Sequence, residues 1–252
     1  MKINSDEKRK LLAVILAAGS GKRLGKTVPK AFIEVEGKAM LMHSVEKFNS
    51  FPEIERVLIV APDGKIDETR KMAGEYENGY YEYEHQKDPQ NDKNYKKNII
   101  IKGGASRQES LANAIRWISE NFEYESGLIS VITHDAARPF VPVDLIAKHV
   151  KAAKEGCNIS TVFPSADTLV ISRDKQSIDQ MPPRGVCYGE QTPQTFVLSD
   201  YEEALNTLSE EELAESTDAI RILHIAGKPV SLMLGVAENI KITYPRDLET
   251  AK

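Results

Sequence analysis

The sequence lacks the features of several large protein classes. It has only two cysteines, Cys157 and Cys187, with no Cys-x-x-Cys pair and no Cys/His cluster, which argues against a zinc site and favours a reducing compartment. No apolar run approaches the roughly 20 residues that a membrane-spanning helix needs. The net charge of −5 has the opposite sign to that of most nucleic-acid-binding proteins. We therefore expect a cytoplasmic protein that binds neither nucleic acid nor membrane.

The N-terminal segment is similar to a secretory signal in one respect only. A charged start precedes a short apolar run at residues 11–16, but a glycine-rich basic segment follows it where a mature N-terminus would begin. A buried parallel strand accounts for the same run. We expect a retained strand here and no signal peptide.

Strand-length apolar runs alternate with helix-period segments along the 252 residues. This alternation predicts an α/β fold with a mostly parallel, twisted sheet and helices on both faces, in one domain spanning residues 1–252. Residues 165–187 lose the helical period and predict a projecting β-hairpin arm. The polar residues 75–97 are expected to form an exposed insertion. The predicted strands are 11–16, 57–61, 98–101, 128–133, 158–163 and 229–234, and the first predicted helices are 39–48, 106–121 and 143–155.

The segment after the first predicted strand is a candidate phosphate-binding loop. Its small residues would let backbone N–H groups approach an anion, and basic side chains follow them. It is not a Walker A loop, because Leu16 and Ala17 stand where that motif needs glycine. It is not a dinucleotide fingerprint either, because the third glycine comes one residue late, at Gly25. A strand-to-helix turn without a ligand is the alternative.

Two further motifs follow predicted strands. Asp135 comes directly after a core strand, where it could help to hold Mg²⁺, and Arg138 could bind a phosphate through two hydrogen bonds. An internal Asp–Arg pair is the alternative, and His134 between strand and acid is interpreted as structural. Gly104 belongs to a paired-glycine turn that opens a helix and could contact an anion or a base. An ordinary N-cap at Ser106 explains the same turn without a ligand.

Taken in order, the motifs AAGxGxRL, PK, GGxxRxxS, HDAARP, DT, QTPQ, TD and NIKIT resemble the cytidylyltransferases that act on 2-C-methyl-D-erythritol 4-phosphate or D-ribitol 5-phosphate. The resemblance extends from residue 12 to the end of the chain. It implies a Rossmann-like nucleotidyltransferase fold, and transfer of CMP from CTP to a small polyol phosphate with Mg²⁺ present and pyrophosphate released. It also implies a homodimer in which each arm reaches the neighbouring site.

The resemblance assigns roles residue by residue. Two functions of other classes are the alternatives. The HDAARP and QTPQ motifs argue against a sugar-1-phosphate nucleotidylyltransferase, and the retained cations argue against a non-catalytic nucleotide sensor. The expected catalytic cations are Arg23 and Lys30; the nucleotide-binding residues are Ala17, Ala18, Gly19, Ser20, Gly21, Gly104, Arg107 and Ser110; the substrate-binding residues are Asp135, Arg138, Thr168, Arg184, Thr192, Thr217 and Lys241; and Asp135 is also a candidate metal ligand.

The chain departs from the family pattern at two positions. Ala105 stands where an Asp often follows the paired glycines, which puts one nucleotide contact in doubt, and Val170 stands where the methylerythritol enzymes usually carry Lys. The arm and the residues that follow it look closer to the ribitol-phosphate branch, whereas Ala137 and the Thr217-Asp218 pair look closer to the methylerythritol branch. The sequence favours ribitol 5-phosphate as acceptor, with methylerythritol 4-phosphate as the alternative.

Overall fold

A seven-stranded mixed sheet forms the centre of the fold, in a computed structural model that describes residues 8–19, 21, 28–73, 98–122, 126–216 and 218–250. The predicted α/β architecture is confirmed. The strands are β1 (Lys10–Leu16), β2 (Glu34–Val35), β3 (Lys38–Ala39), β4 (Ile54–Ala61), β5 (Asn98–Lys102), β6 (Ile129–Asp135), β7 (Ile159–Pro164), β8 (Tyr188–Val197) and β9 (Ser231–Leu234). The helices are α1 (Met40–Asn49), α2 (Ile66–Met72), α3 (Arg107–Asn121), α4 (Val143–Lys154), α5 (Leu198–Thr207), α6 (Glu210–Glu215), α7 (Ala219–Ile225) and α8 (Pro245–Thr250).

Both faces of the sheet are covered, which explains why β1 is continuously apolar. In β1, Leu12 and Val14 point into a core shared with α3, α5 and α7, and Ala13 and Ile15 point into a second core shared with α1 and α4. A strand buried on both faces needs apolar residues at consecutive positions rather than at alternate ones. The N-terminal run is therefore the central strand that the sequence predicts. None of the helices in the described part of the chain is long and apolar enough to cross a bilayer.

The strand order places a crevice beside β1. The order is β5-β4-β1-β6-β8-β7-β9, so the chain adds β4 and β5 on one side of β1 and then places β6 on the other side. β1, β4, β5 and β6 are mutually parallel. In such sheets ligands bind outside the carboxyl ends of the strands, at the point where the strand order reverses.

Besides the two-residue strands β2 and β3, β8 is a strand that the sequence did not predict. It lies between β6 and β7 and runs antiparallel to both, with Thr133 of β6 opposite Gln194 of β8. Because it is antiparallel, the first half of β8 lies near the carboxyl end of β6. The polar segment around Thr192 therefore reaches the crevice from within a strand.

The arm at residues 165–187 leaves the sheet between β7 and β8. Its base is closed by the Ser165 N–H, which donates to the Cys187 carbonyl at 3.0 Å. The predicted hairpin is reduced to one isolated bridge, Ile171 with Gln180, among these described residues. Asp174 orders the turn by accepting hydrogen bonds from the backbone N–H groups of Gln176 and Ser177. The predicted insertion at residues 75–97 lies outside the described residues.

Candidate active site

Three loops converge at the carboxyl edge of β1, β5 and β6. The loop after β1 carries Ala17 and Ala18, the turn after β5 carries the paired glycines, and β6 ends at Asp135. A Cβ atom added to Gly103 would lie 2.3 Å from the Ala18 Cβ, so the paired-glycine turn packs directly on the first loop. Only glycine permits this approach, which explains the glycine at the first position of the turn.

The first loop is fixed by backbone contacts. The Ala17 N–H donates to the Val60 carbonyl at 2.9 Å. Gly21 has a φ of +67°, and a Cβ at that position would lie 3.0 Å from both the backbone nitrogen and the Cβ of Lys30. The positive φ and the close approach both require glycine here. Lys30, in a 3-10 turn spanning Lys30–Phe32, is thus brought against the glycine-rich loop.

The turn before α3 is held by its own side chains. Ser106 caps α3 by accepting from the Glu109 N–H at 3.0 Å, as the N-cap interpretation predicts. The Ser110 hydroxyl accepts from the Gly104 N–H at 3.1 Å and donates to the Ser106 carbonyl at 2.7 Å. In this structure Ser110 therefore shapes the turn, which leaves the first residue of α3, Arg107, directed at β6.

Asp135 is the centre of the charged cluster. Its Oδ1 accepts from Arg107 Nε at 3.0 Å, and its Oδ2 accepts from Lys241 Nζ at 2.6 Å. Burial alone would raise the pKa of Asp135, but the charges and hydrogen bonds of Arg107 and Lys241 outweigh burial and hold that pKa well below its usual range. The carboxylate thus orients two cations that lie 134 residues apart in the sequence.

Thr192 connects the end of β6 to β8. Its Oγ1 accepts from the Asp135 backbone N–H and contacts His134 Nδ1, both at 3.1 Å. His134 Nε2 lies 3.1 Å from the Arg138 carbonyl, which can only accept, so Nε2 carries the proton and the Thr192 hydroxyl donates to Nδ1. Burial lowers the pKa of His134 to about 4 despite the nearby charge of Asp135. His134 is therefore neutral near pH 7, in line with its structural interpretation.

The Arg138 guanidinium is anchored on strand β8 and on the loop that follows β9. Its Nη1 donates to the Asn239 carbonyl at 2.7 Å, and its Nη2 donates to the Glu190 carbonyl at 3.2 Å. The Asn239 amide donates in turn to the Thr192 carbonyl at 2.8 Å. The guanidinium is thereby held at the side of a cleft of about 220 Å³ between β7, β8 and the end of β6.

The structure brings most of the expected site residues together, with clear exceptions. Thr168 and Arg184 lie on the exposed arm, and no hydrogen bond or ion pair within the described ranges joins either of them to the Asp135 cluster. Ser20, Arg23 and Thr217 lie outside the described residues. The residues grouped at the sheet edge are Ala17, Ala18, Gly19, Gly21, Lys30, Gly104, Arg107, Ser110, Asp135, Arg138, Thr192 and Lys241.

Two acidic residues at this edge were missed as site candidates. Asp218 caps α7 by accepting from the Arg221 N–H at 3.0 Å, and its charge contributes to raising the pKa of Arg107 against the effect of burial. Glu190 lines the cleft beside Arg138. Both lie in or next to motifs that carry the family resemblance. An acidic residue beside such a polar motif could have identified each of them as a site candidate.

The side chains at the cluster suit Mg²⁺ only in combination with phosphate. Within the described ranges, no group of three or more His, Cys, Asp or Glu side chains could hold a metal ion by itself. Mg²⁺ is commonly held by one or two carboxylates together with substrate phosphates. Asp135 supplies one carboxylate of this kind, although both of its oxygens are engaged by Arg107 and Lys241.

Known proteins share this sequence pattern and this fold. Residues 11–252 match the family model described as IspD, 2-C-methyl-D-erythritol 4-phosphate cytidylyltransferase. The 2-C-methyl-D-erythritol 4-phosphate cytidylyltransferase from Thermus thermophilus is 28% identical, with a TM-score of 0.66 over 95% of this chain and 96% of that chain. The 4-diphosphocytidyl-2C-methyl-D-erythritol synthase from Anaerococcus prevotii is 24% identical, with a TM-score of 0.72 over 96% and 94% of the two chains, and supports the fold.

Proposed function

The chain belongs to the IspD family, whose members are cytidylyltransferases, and from this membership we propose that it transfers CMP from CTP to 2-C-methyl-D-erythritol 4-phosphate and releases pyrophosphate. The observation that carries the proposal is the Asp135 cluster, which presents Arg107 and Lys241 beside a glycine-rich loop at the switch point of the sheet. The preference for ribitol 5-phosphate is not supported by the comparisons, which fit the methylerythritol alternative better.

The nucleotide is proposed to lie along the first loop and the paired-glycine turn. Ala17–Gly21 would surround the triphosphate, because small residues leave backbone N–H groups accessible to phosphate oxygens. Gly104 and Arg107 would contact the cytosine and ribose. Ser110 would act by fixing the turn, since its hydroxyl is already bonded to the Gly104 N–H and the Ser106 carbonyl.

The proposed reaction needs no covalent enzyme intermediate. A phosphate oxygen of the acceptor attacks the α-phosphorus of CTP in line, the bond to the β-phosphate oxygen breaks, and pyrophosphate leaves. Lys30 and Arg23 stabilise the charge on the phosphoryl oxygens, which is the main contribution a protein makes to such a transfer. Asp135, together with phosphate oxygens, would hold Mg²⁺, and the ion would supply further charge neutralisation there. Arg138 and Lys241 would hold the acceptor phosphate near the α-phosphorus, and Thr192 would act by positioning Asp135 and His134, since its hydroxyl is already bonded to both.

We propose that residues 1–252 form one domain and that the protein is a homodimer whose arms complete the neighbouring sites. The arm exposes large apolar side chains that nothing in the described chain covers, and contiguous exposed apolar surface marks interaction sites. Thr168 and Arg184 lie on the same arm and away from the Asp135 cluster, so they are available to the other protomer. The exposed apolar residues are Leu169, Val170, Ile171, Ile178, Met181 and Val186.

The test is pyrophosphate release with CTP and Mg²⁺, with 2-C-methyl-D-erythritol 4-phosphate and D-ribitol 5-phosphate offered in separate reactions. We expect release with the methylerythritol phosphate well above a CTP-only control, and much slower release with ribitol phosphate or with ATP in place of CTP. A preference for ribitol phosphate would overturn the acceptor, and equal rates with ATP would overturn the nucleotide.

A further inference from the structure

An acidic side chain lies in a cleft whose other charged group is a cation. The cleft beside the Asp135 cluster is lined by Arg138, Phe163, Ser165, Glu190 and Gln191, among others. Arg138 suits an anion such as the acceptor phosphate, but a carboxyl group at the same wall repels one. Glu190 therefore needs a different explanation from that of the cations around it.

Glu190 is fixed at both its side chain and its backbone. Its Oε1 accepts from the Ser160 hydroxyl at 2.6 Å, and Ser160 is buried in the neighbouring strand β7. Its carbonyl accepts from Arg138 Nη2 at 3.2 Å. The residue lines the cleft and is exposed as a whole, and its carboxyl also forms hydrogen bonds with the Asp218 and Gln194 side chains. A carboxyl group has about four lone-pair sites on its two oxygens, so these contacts leave it capacity to accept from a ligand hydroxyl.

The electrostatic surroundings of Glu190 favour a hydrogen-bonding role. Withdrawal of its carboxyl from water raises its pKa, and the charge and hydrogen bond of the neighbouring Asp218 carboxyl add to this rise, which outweighs the lowering by hydrogen bonds from Ser160 and Gln194. A carboxyl in such a place can accept hydrogen bonds from hydroxyl groups and, when protonated, donate one as well. A polyol hydroxyl both donates and accepts, so it can use either form of this carboxyl, whereas the ionised form repels a phosphate.

We infer that Glu190 is a specificity-determining residue that hydrogen-bonds the hydroxyl groups of the acceptor's polyol chain, while Arg138 at the same cleft binds its phosphate. The inference rests on the proposed function, because it concerns the acceptor of that reaction. Hydrogen bonds between hydroxyls and a carboxyl are strong because one partner can be ionised. A site built to bond a hydroxyl discriminates strongly against analogues that lack it, since its own polar group is then left unpaired.

The test compares Glu190→Ala and Glu190→Gln with wild type in steady-state pyrophosphate release. We expect Glu190→Ala to raise the KM for the polyol phosphate about tenfold or more, with the KM for CTP changed less than about twofold. Glu190→Gln retains hydrogen-bonding atoms, so its KM for the polyol phosphate should lie between those of wild type and Glu190→Ala. With an acceptor that lacks one chain hydroxyl, the difference in acceptor KM between wild type and Glu190→Ala should be smaller. Glu120→Gln, on an exposed position of α3, is the control and should match wild type.

Each outcome has a distinct meaning. If wild type releases pyrophosphate with a polyol phosphate and Glu190→Ala has the same acceptor KM, the inference about Glu190 is wrong and the proposed function stands. Parallel increases in both KM values, or a lowered melting temperature in both Glu190 variants, would indicate a structural role and would also overturn the inference. If wild type accepts no polyol phosphate, the proposed function fails and the inference fails with it.

Discussion

The backbone N–H of Asp135 donates to the hydroxyl of Thr192 at 3.1 Å, across 57 residues of sequence. This bond joins the carboxyl end of β6 to the first half of β8, the two strands that carry most of the proposed acceptor site. Because the same hydroxyl donates to His134, whose other ring nitrogen holds the Arg138 carbonyl, one threonine side chain positions an acid and a cation together.

Replacing Thr192 by Val should therefore affect both stability and catalysis. The change leaves the buried Asp135 N–H and His134 Nδ1 without their partner, which should cost about 1–3 kcal/mol of unfolding free energy. The acceptor KM should rise more than the CTP KM, because the disturbed residues lie on the acceptor side. Urea unfolding and steady-state kinetics measure the two effects. Thr192→Ser keeps the hydroxyl and should lie near wild type; a serine variant as impaired as the valine variant would contradict the hydrogen-bond argument.

Lys30→Ala should reduce turnover far more than nucleotide binding. If the ammonium group stabilises charge that develops in the transition state, kcat should fall by about 10²–10³. The Kd for CTP, measured by calorimetry, should change much less. Lys38→Ala is a matched control, because Lys38 forms an exposed ion pair with Glu46 and lies outside the proposed site. Near-normal kcat in Lys30→Ala would exclude the catalytic role.

Mixing two inactive variants tests whether the arms are exchanged. Arg184→Ala removes an arm cation and Lys241→Ala removes a cation of the Asp135 cluster, so each variant alone should have little activity. If each site combines one protomer's cluster with the other's arm, refolding the two together restores about a quarter of wild-type activity, because half of the dimers have one intact site. Absence of any recovery, or a monomer in sedimentation experiments, would refute arm exchange.

The buried histidines predict acid sensitivity. His149 bridges α4 to the sheet, with Nδ1 2.7 Å from Thr195 Oγ1 and Nε2 2.6 Å from Thr161 Oγ1. Burial lowers the pKa of His149 to about 3, and that of His134 to about 4. The unfolded chain therefore binds protons below about pH 6.5 that the folded protein does not, so stability is lost as pH falls.

Between pH 7 and pH 4 each of these histidines should lower the free energy of unfolding by about 3 kcal/mol. His149→Gln should flatten the dependence of that free energy on pH, even if it also lowers stability at pH 7. His224→Gln, at an exposed position, should keep the wild-type slope. An unchanged slope in His149→Gln would show that the bridge is not the source of the acid sensitivity. Urea unfolding at a series of pH values gives the free energy of unfolding of wild type, His149→Gln and His224→Gln.

The sequence predicted the strands that contain apolar runs and missed β8, whose middle is polar. β1, β4, β5, β6, β7 and β9 appear where the apolar runs indicated. β8 instead contains Gln191, Thr192 and Gln194, all buried, and Gln191 and Thr192 bond partners distant in sequence, such as Asn239 for Gln191 and the Asp135 N–H for Thr192. Strand formation there depends on tertiary contacts that local propensity does not contain.

The candidate site could likewise be predicted only in part from the sequence. Convergence of the loops after β1, β5 and β6 follows from the rule that the carboxyl ends of parallel strands share one edge. The pairing of Lys241 with Asp135 could not be predicted, because Lys241 stands in a loop without periodic pattern. Glu190 was overlooked because its position in a strand, and hence its neighbours Ser160 and Arg138, depends on the antiparallel placement of β8.

The closed base of the arm has a consequence for how this fold can be altered. Pro164 and Tyr188 are paired in the antiparallel ladder, so the two ends of the arm are already adjacent before the arm begins. Lengthening the arm would cost little free energy, because the free energy of loop closure grows only with the logarithm of loop length. An arm from a relative can therefore be spliced between these two positions without shifting the register of either strand, which makes the segment an exchangeable module separate from the nucleotide half of the protein.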